Sequence, residues 1–171
     1  MRLRLNGLNE GYQTIVETIG AVDLGVENPP FANAIEVSLT IDKEPKEIKI
    51  AGQVATLAVF ECDRCLAHFT QQLVGDFNLL VTEDIPKAKT EIYEDLISIT
   101  PTTSEIDLTA YIYDTLLLSV PMKKLCKPEC QGLCPVCGAN LNEGSCQCSH
   151  RSGDERWEIL KRLSTTMTEE K

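Results

Sequence analysis

Ile35-Glu36-Val37-Ser38-Leu39-Thr40-Ile41-Asp42 alternates apolar and polar side chains without a break. Successive side chains of an extended chain point to opposite faces, so this stretch reads as a strand with one buried and one solvated face. Residues 42–46, with Pro45, supply a turn, and Ile48, Ile50, Val54, Leu57, Val59 and Phe60 continue as a second, long strand. Gly52 marks an expected bulge in it, where the parity of the apolar positions changes. A third strand runs over residues 69–81, with Phe69, Leu73, Phe77, Leu79 and Val81 on one face. Three consecutive strands with short connections imply an antiparallel meander.

Around this centre the signals are shorter. Residues 2–8, with Leu3 and Leu5 inward, read as a strand, residues 12–19 as another, and Pro29-Pro30 as a loop. Residues 83–105 are acidic, hold Pro86 and Pro101, and read as a loop with one short strand at 96–99. Ser104 and Asp107 fit a capping box for a helix over residues 108–120, with Leu108, Ile112 and Leu116 on one face and Pro121 ending it. Residues 154–163, with Trp157, Leu160 and Leu163 on one side, read as a short terminal helix, and 164–171 as a frayed tail. The fold class is therefore α+β: an antiparallel β-meander sheet with one or two packing helices and a C-terminal cysteine-rich zinc ribbon. The expected division is a sheet body over 1–121 and a cysteine-rich region over 122–163, clamped to a hairpin at 62–65.

The net charge of −10 is uneven. Residues 1–121 carry 8 Lys and Arg against 19 Asp and Glu, whereas residues 122–162 carry 7 against 5. An acidic body disfavours indiscriminate phosphate binding, so any nucleic-acid contact is expected at the cysteine-rich end. Its candidates are Lys123, Lys124, Lys127, Arg151, Arg156, Lys161 and Arg162. Met1-Arg2-Leu3-Arg4-Leu5 alternates charge with apolar side chains and resembles no signal peptide, and no apolar run is long enough to span a bilayer. The expected location is the cytoplasm or a plastid stroma.

In a reducing compartment, an even cysteine count argues for metal rather than disulfides. Cys62-Asp63-Arg64-Cys65 lies between two long strands, at a hairpin tip, where two sulfurs can converge on one metal. A thioredoxin-like redox pair would need the motif at a helix N-terminus instead. The second block reads Cys126-x3-Cys130-x3-Cys134-x2-Cys137-x8-Cys146-x-Cys148, with Gly132, Gly138 and Gly144 interleaved. Eight thiolates divide into two tetrahedral zinc sites. The preferred partition sets Cys134, Cys137, Cys146 and Cys148 around one ion, and Cys62, Cys65, Cys126 and Cys130 around the other. A rubredoxin-like iron on Cys62, Cys65, Cys134 and Cys137 is the competing arrangement. His68 and His150 are minority candidates as substitute ligands. Two closed four-thiolate sites leave no open position for water, and the sequence shows no phosphate-binding loop, nucleophile elbow or Ser/His/Asp set. An enzyme is the least favoured reading.

The framing of the cysteines resembles a known family. Cys62-Asp63-Arg64-Cys65-Leu66 follows a strand, and Glu105-Ile106-Asp107-Leu108 opens a helix ending Leu118-Ser119-Val120-Pro121. Cys130-Gln131-Gly132-Leu133-Cys134-Pro135-Val136-Cys137-Gly138-Ala139-Asn140-Leu141-Asn142 and Cys146-x-Cys148 come next. Together they resemble the bacterial and plastid YceD family, also known as DUF177. The resemblance implies a role in accumulation of large-subunit (23S) ribosomal RNA and does not imply a known enzymatic activity. Two modes of action follow: binding of the RNA or a pre-ribosomal particle through the basic side chains, or docking of a basic ribosomal protein on the acidic body.

Overall fold

The computed structural model describes residues 1–25, 31–83 and 95–148. The chain divides into two compact units, Met1–Cys126 and Lys127–Lys171.

The first unit is built on a five-stranded sheet. Its strands, in chain order after the short β1 (Arg2–Arg4), are β2 (Gly11–Gly20), β3 (Phe31–Lys43), β4 (Glu47–Glu61), β5 (His68–Thr82) and β6 (Asp95–Ser98). Their spatial order follows the sequence, and β2 to β5 pair antiparallel as the alternation predicts. β6 departs from the expected meander: it runs parallel to β5 at the edge, over Leu79–Thr82. The sheet is thus mixed. Ile35, Val37, Leu39 and Ile41 are all wholly buried. Burying one such aliphatic side chain contributes roughly 1.5–3 kcal/mol, so β3 anchors the core.

β4 keeps one parity along its length. Ile48, Ile50, Val54, Thr56, Ala58 and Phe60 face inward, whereas Leu57 and Val59 are more than half exposed on the other face. Gly52 is therefore no bulge. It pairs with Phe77, whose ring lies where a Cβ would sit, 2.1 Å from its nearest atom, and the glycine exists to admit that ring. Thr56 fills an inward position because its hydroxyl donates to the Ala34 carbonyl at 2.9 Å.

The helix α1 (Thr109–Leu118) packs Leu108, Ile112 and Leu116 against this same face. It approaches closely at Gly75, where an added Cβ would lie 2.6 Å from Thr115 Cγ2. The expected capping box does not form. Ser104 offers its carbonyl to the Leu5 amide, and residues around it become β7 (Glu105–Asp107), paired with β1. Asp107 Oδ1 instead accepts from the Thr109 amide at 2.9 Å, two residues on. The N-terminal strand is likewise shorter than expected, because Leu5–Gly7 turns as a 3-10 helix and Lys43 Nζ donates to the carbonyls of Leu5 and Leu8.

In the second unit the described residues form turns around one isolated bridge, Leu133 to Asn140. The expected terminal helix at 154–163 lies outside the described residues.

Candidate metal centres

Both CxxC motifs fold as the same knuckle. In the first, the Cys62 amide donates to the Ala67 carbonyl and the Leu66 amide returns to the Cys62 carbonyl, each at 2.9 Å. In the second, the Cys134 amide donates to Ala139 at 2.8 Å and the Gly138 amide to Cys134 at 2.9 Å. The residue after the last cysteine takes a left-handed conformation in both, φ 60° at Leu66 and 74° at Gly138. Only this bend turns the loop amides back toward the sulfurs. Val136 shows the result, its amide donating to Cys134 Sγ at 3.4 Å.

The amides set the thiol acidity. Burial pushes the Cys62 thiol up, but the amides of Cys126, Arg64 and Cys65 outweigh it and bring the value down to about 6. Amides of Cys137 and Val136 bring Cys134 to about 6 against its own burial. One thiolate in each knuckle is thus available at neutral pH, which a soft cation requires. Sulfurs beside them resist a second negative charge: the Cys137 sulfur raises Cys148 to about 12. A bound cation would remove that conflict.

The eight cysteines come together as two groups of four. Cys134, Cys137, Cys146 and Cys148 present sulfurs within 4.8 Å of one another, and so do Cys62, Cys65, Cys126 and Cys130. Cys65 and Cys126 sulfurs are 3.6 Å apart, and none of the eight cysteines is in a disulfide. A disulfide needs about 2.05 Å, whereas a tetrahedron of sulfurs about 2.3 Å from zinc has edges of about 3.8 Å. Each group could hold a metal ion, and its donor set suits a soft, four-coordinate one. Cys62 and Cys65 join a different group from Cys134 and Cys137, which removes the two-knuckle iron arrangement.

Around the first knuckle, a reciprocal contact brings in the chain that carries Cys126. The Asp63 amide donates to the Lys124 carbonyl at 2.8 Å, and Asp63 Oδ2 accepts from the Lys124 amide at 2.7 Å. Lys124 Nζ then sits 5.7 Å from the Phe60 ring centroid. In the second unit, Asn142 works on both sides of the knuckle. Its Nδ2 donates to Cys130 Sγ at 3.4 Å and to Asn140 Oδ1 at 2.9 Å, while its Oδ1 accepts from the Gln131 amide. The sequence reading missed Asp63, Asn140 and Asn142. Short Asx side chains inside and just after a knuckle are the signal that points to them, since these side chains satisfy nearby amides.

Of the basic candidates, Lys123 and Lys127 are exposed and Lys124 is half-buried. Arg151, Arg156, Lys161 and Arg162 lie outside the described residues, as does His150. His68 opens β5 and belongs to neither cysteine group. Among the described residues no helix is long and apolar enough to cross a membrane.

Residues 50–164 match the family model described as "Large ribosomal RNA subunit accumulation protein YceD". Relatives include the Arabidopsis thaliana "Large ribosomal RNA subunit accumulation protein YCED homolog 1, chloroplastic", 25% identical over 83% of this chain and 52% of its own length. The Zea mays protein of the same name is 27% identical over 68% of this chain and 49% of its own length. An uncharacterized Mycobacterium tuberculosis protein is 29% identical over 74% of this chain and 60% of its own length. The chain spans about half the length of the plant relatives. No solved structure matches. The family match covers more than half of the residues and takes in all eight cysteines, and the chain belongs to the YceD family.

Proposed function

We propose that this protein is a non-catalytic factor in biogenesis of the large ribosomal subunit, needed for accumulation of 23S ribosomal RNA. The observation that carries the reading is the pair of four-cysteine groups inside the family match. Each group takes one zinc ion, the second as a ribbon. The first ion clamps the cysteine-rich region of residues 122–163 to the hairpin at 62–65. Four thiolates per ion leave no place for a reacting water, so zinc fixes shape and does no chemistry on a substrate. Its place of action is the cytoplasm or a plastid stroma, with no membrane and no small-molecule substrate.

Contact with ribosomal RNA falls to Lys123, Lys124 and Lys127, joined by Arg151, Arg156, Lys161 and Arg162. Contacts of this kind position a protein on phosphates without reading sequence. Their number fixes the salt slope, so replacing Lys123 and Lys127 by Glu should weaken binding to large-subunit RNA and flatten its salt dependence. Unchanged binding in that variant would remove the RNA-contact reading. Sedimentation of tagged protein through a ribosome gradient, with sequencing of the bound RNA, tests the process itself.

A second reading is favoured by the charge distribution. An acidic first unit complements a basic ribosomal protein better than it does phosphates, and the Lys124 ammonium already sits over the Phe60 ring. The protein then acts as a zinc-stabilised adaptor. Capture of ribosomal proteins that survives nuclease treatment separates the two readings.

A further inference from the structure

Among the described residues, the sheet leaves one long edge open. β5 pairs with β4 along its whole length, yet β6 covers its other side only at Leu79–Thr82. Among the described residues, nothing pairs with that side from His68 to Asn78.

The ladder tells which groups face outward. The Cys62 amide bonds the Ala67 carbonyl, so that pair is hydrogen-bonded, and the pairs alternate from there along an antiparallel ladder. Odd-numbered residues of β5 therefore bond β4, and even-numbered residues direct N–H and C=O away from it. Thr82 fits the parity, its carbonyl accepting from Ile99 on the outer side. The outward groups belong to Thr70, Gln72, Val74, Asp76 and Asn78.

Protein edges of this length are normally blunted by lysine, proline or a bulge. Residues 68–78 contain neither Lys nor Pro, and their ladder to β4 runs without a register shift. Beside the edge lies a groove of about 270 Å³ along Val74–Phe77, flanked by Tyr111 and Leu118 of α1. Leu118 is 86% exposed. Asp95 adds a carboxylate on the helix side of the groove, the Asp76 carboxylate lies on the opposite face of the sheet beside Gln53, and among the described residues no cation lines the groove. Burial and the Asp95 charge together hold the Tyr111 phenol above its ordinary value.

We propose that this edge receives an extended protein segment bearing Lys or Arg, which adds to β5 as a sixth strand. Main-chain hydrogen bonds to Thr70–Asn78 supply the affinity, and alternate side chains supply the choice of partner. Side chains on the outer face of the sheet reach Asp76, and those on the helix side cover Leu118 and meet Asp95. The carboxylates select the occupant: they repel phosphates, and they repel a second copy carrying the same groove. The assignment rests on the adaptor reading above.

The probe is a nine-residue peptide alternating Lys and Val, with a Glu/Val peptide as its counterpart, added to the full zinc-loaded chain. Amide exchange should slow at Gln72, Val74 and Asp76 with the Lys peptide alone. Val74→Pro deletes one outward N–H at a position where an edge tolerates proline, and should weaken binding about tenfold or more. Asp76→Asn with Asp95→Asn should weaken it about threefold and reduce its salt dependence. Equal zinc content and circular dichroism certify that each variant folds. The proposal falls if exchange slows elsewhere or nowhere, or if Val74→Pro binds the peptide equally well. It also falls if these amides are already protected in the dilute free chain, or gain protection as the chain is concentrated. Nuclease-resistant capture of ribosomal proteins by wild type and Val74→Pro alike would leave the adaptor reading standing and remove the edge. Capture by neither would remove both.

Discussion

The two knuckles share one backbone design and differ in what surrounds them. The first closes two 15-residue strands, with Cys62 wholly buried and Cys65 at 7% exposure. Among the described residues the second has turns and one isolated bridge around it in place of strands, and its Cys137 is exposed. The first places Leu66 at the left-handed position, the second places Gly138 there. A sheet can hold a branched side chain in a strained conformation, because the flanking ladder over-determines the loop. A turn-built unit has no such support and uses the residue that adopts the bend freely. The comparison teaches that the metal would complete an already rigid hairpin in one case and organise turns in the other.

The largest effect should come from breaking one ligand in each group. Cys62→Ser exposes a buried, partnered site and should cost about 3 kcal/mol or more of sheet stability, read by denaturant unfolding of the zinc-loaded chain. Cys137→Ser should release one metal and change unfolding of the sheet by less than about 0.5 kcal/mol. Equal losses in both variants would erase the distinction.

Exchanging the bend residues sharpens the same comparison. A left-handed leucine costs roughly 1–2 kcal/mol, so Gly138→Leu should destabilise the second knuckle by about that much and speed its metal release. Leu66→Gly should be neutral or stabilising by up to about 1 kcal/mol, because relief of strain is offset by glycine's unfolded-state entropy. Leu66 is more than half exposed, so little packing is lost with it.

Asn142→Ala should act on the group containing Cys130. The variant loses a donor to that sulfur, and metal affinity there should fall roughly tenfold in chelator competition. Retention of both metals at wild-type affinity would show that the contact is incidental.

The smallest effect belongs to Asp107, remote from both knuckles in sequence. Thr109's hydroxyl and amide hold its carboxyl below the ordinary 3.8, aided by the N-terminal ammonium and Arg2. A depressed carboxylate stabilises the fold above its unfolded value and loses that contribution as pH falls through the folded one. Asp107→Asn should therefore cost less than about 1 kcal/mol at neutral pH, for a group this exposed. The gap to wild type should close below about pH 3.8 in acid unfolding.

Much of the sheet was legible because alternation over residues 35–42 is unambiguous. The reading failed where a polar or small residue took a buried place. Thr56 and Ala58 face the core, so Leu57 and Val59, although more apolar, lie on the exposed face and the expected change of parity does not occur. Gly52 looked like a bulge because its reason is Phe77, a residue 25 positions away that only strand register brings opposite. The Ser104 box failed for a similar cause: residues 105–107 are claimed by β1, a pairing of ends that no local pattern announces. The parallel run of β6 was equally hidden. In the site, cysteine spacing exposed both knuckles, whereas the parts played by Asp63 and Asn142 depend on which main-chain groups the fold delivers to them.

The most direct test of the two-centre account is metal analysis with X-ray absorption on the purified protein and on Cys137→Ser. The account predicts two zinc ions per wild-type chain, each with four sulfur neighbours at about 2.3 Å, and one retained in the variant. A single metal in the wild type, nitrogen or oxygen in the first shell, or loss of both ions from Cys137→Ser would contradict it.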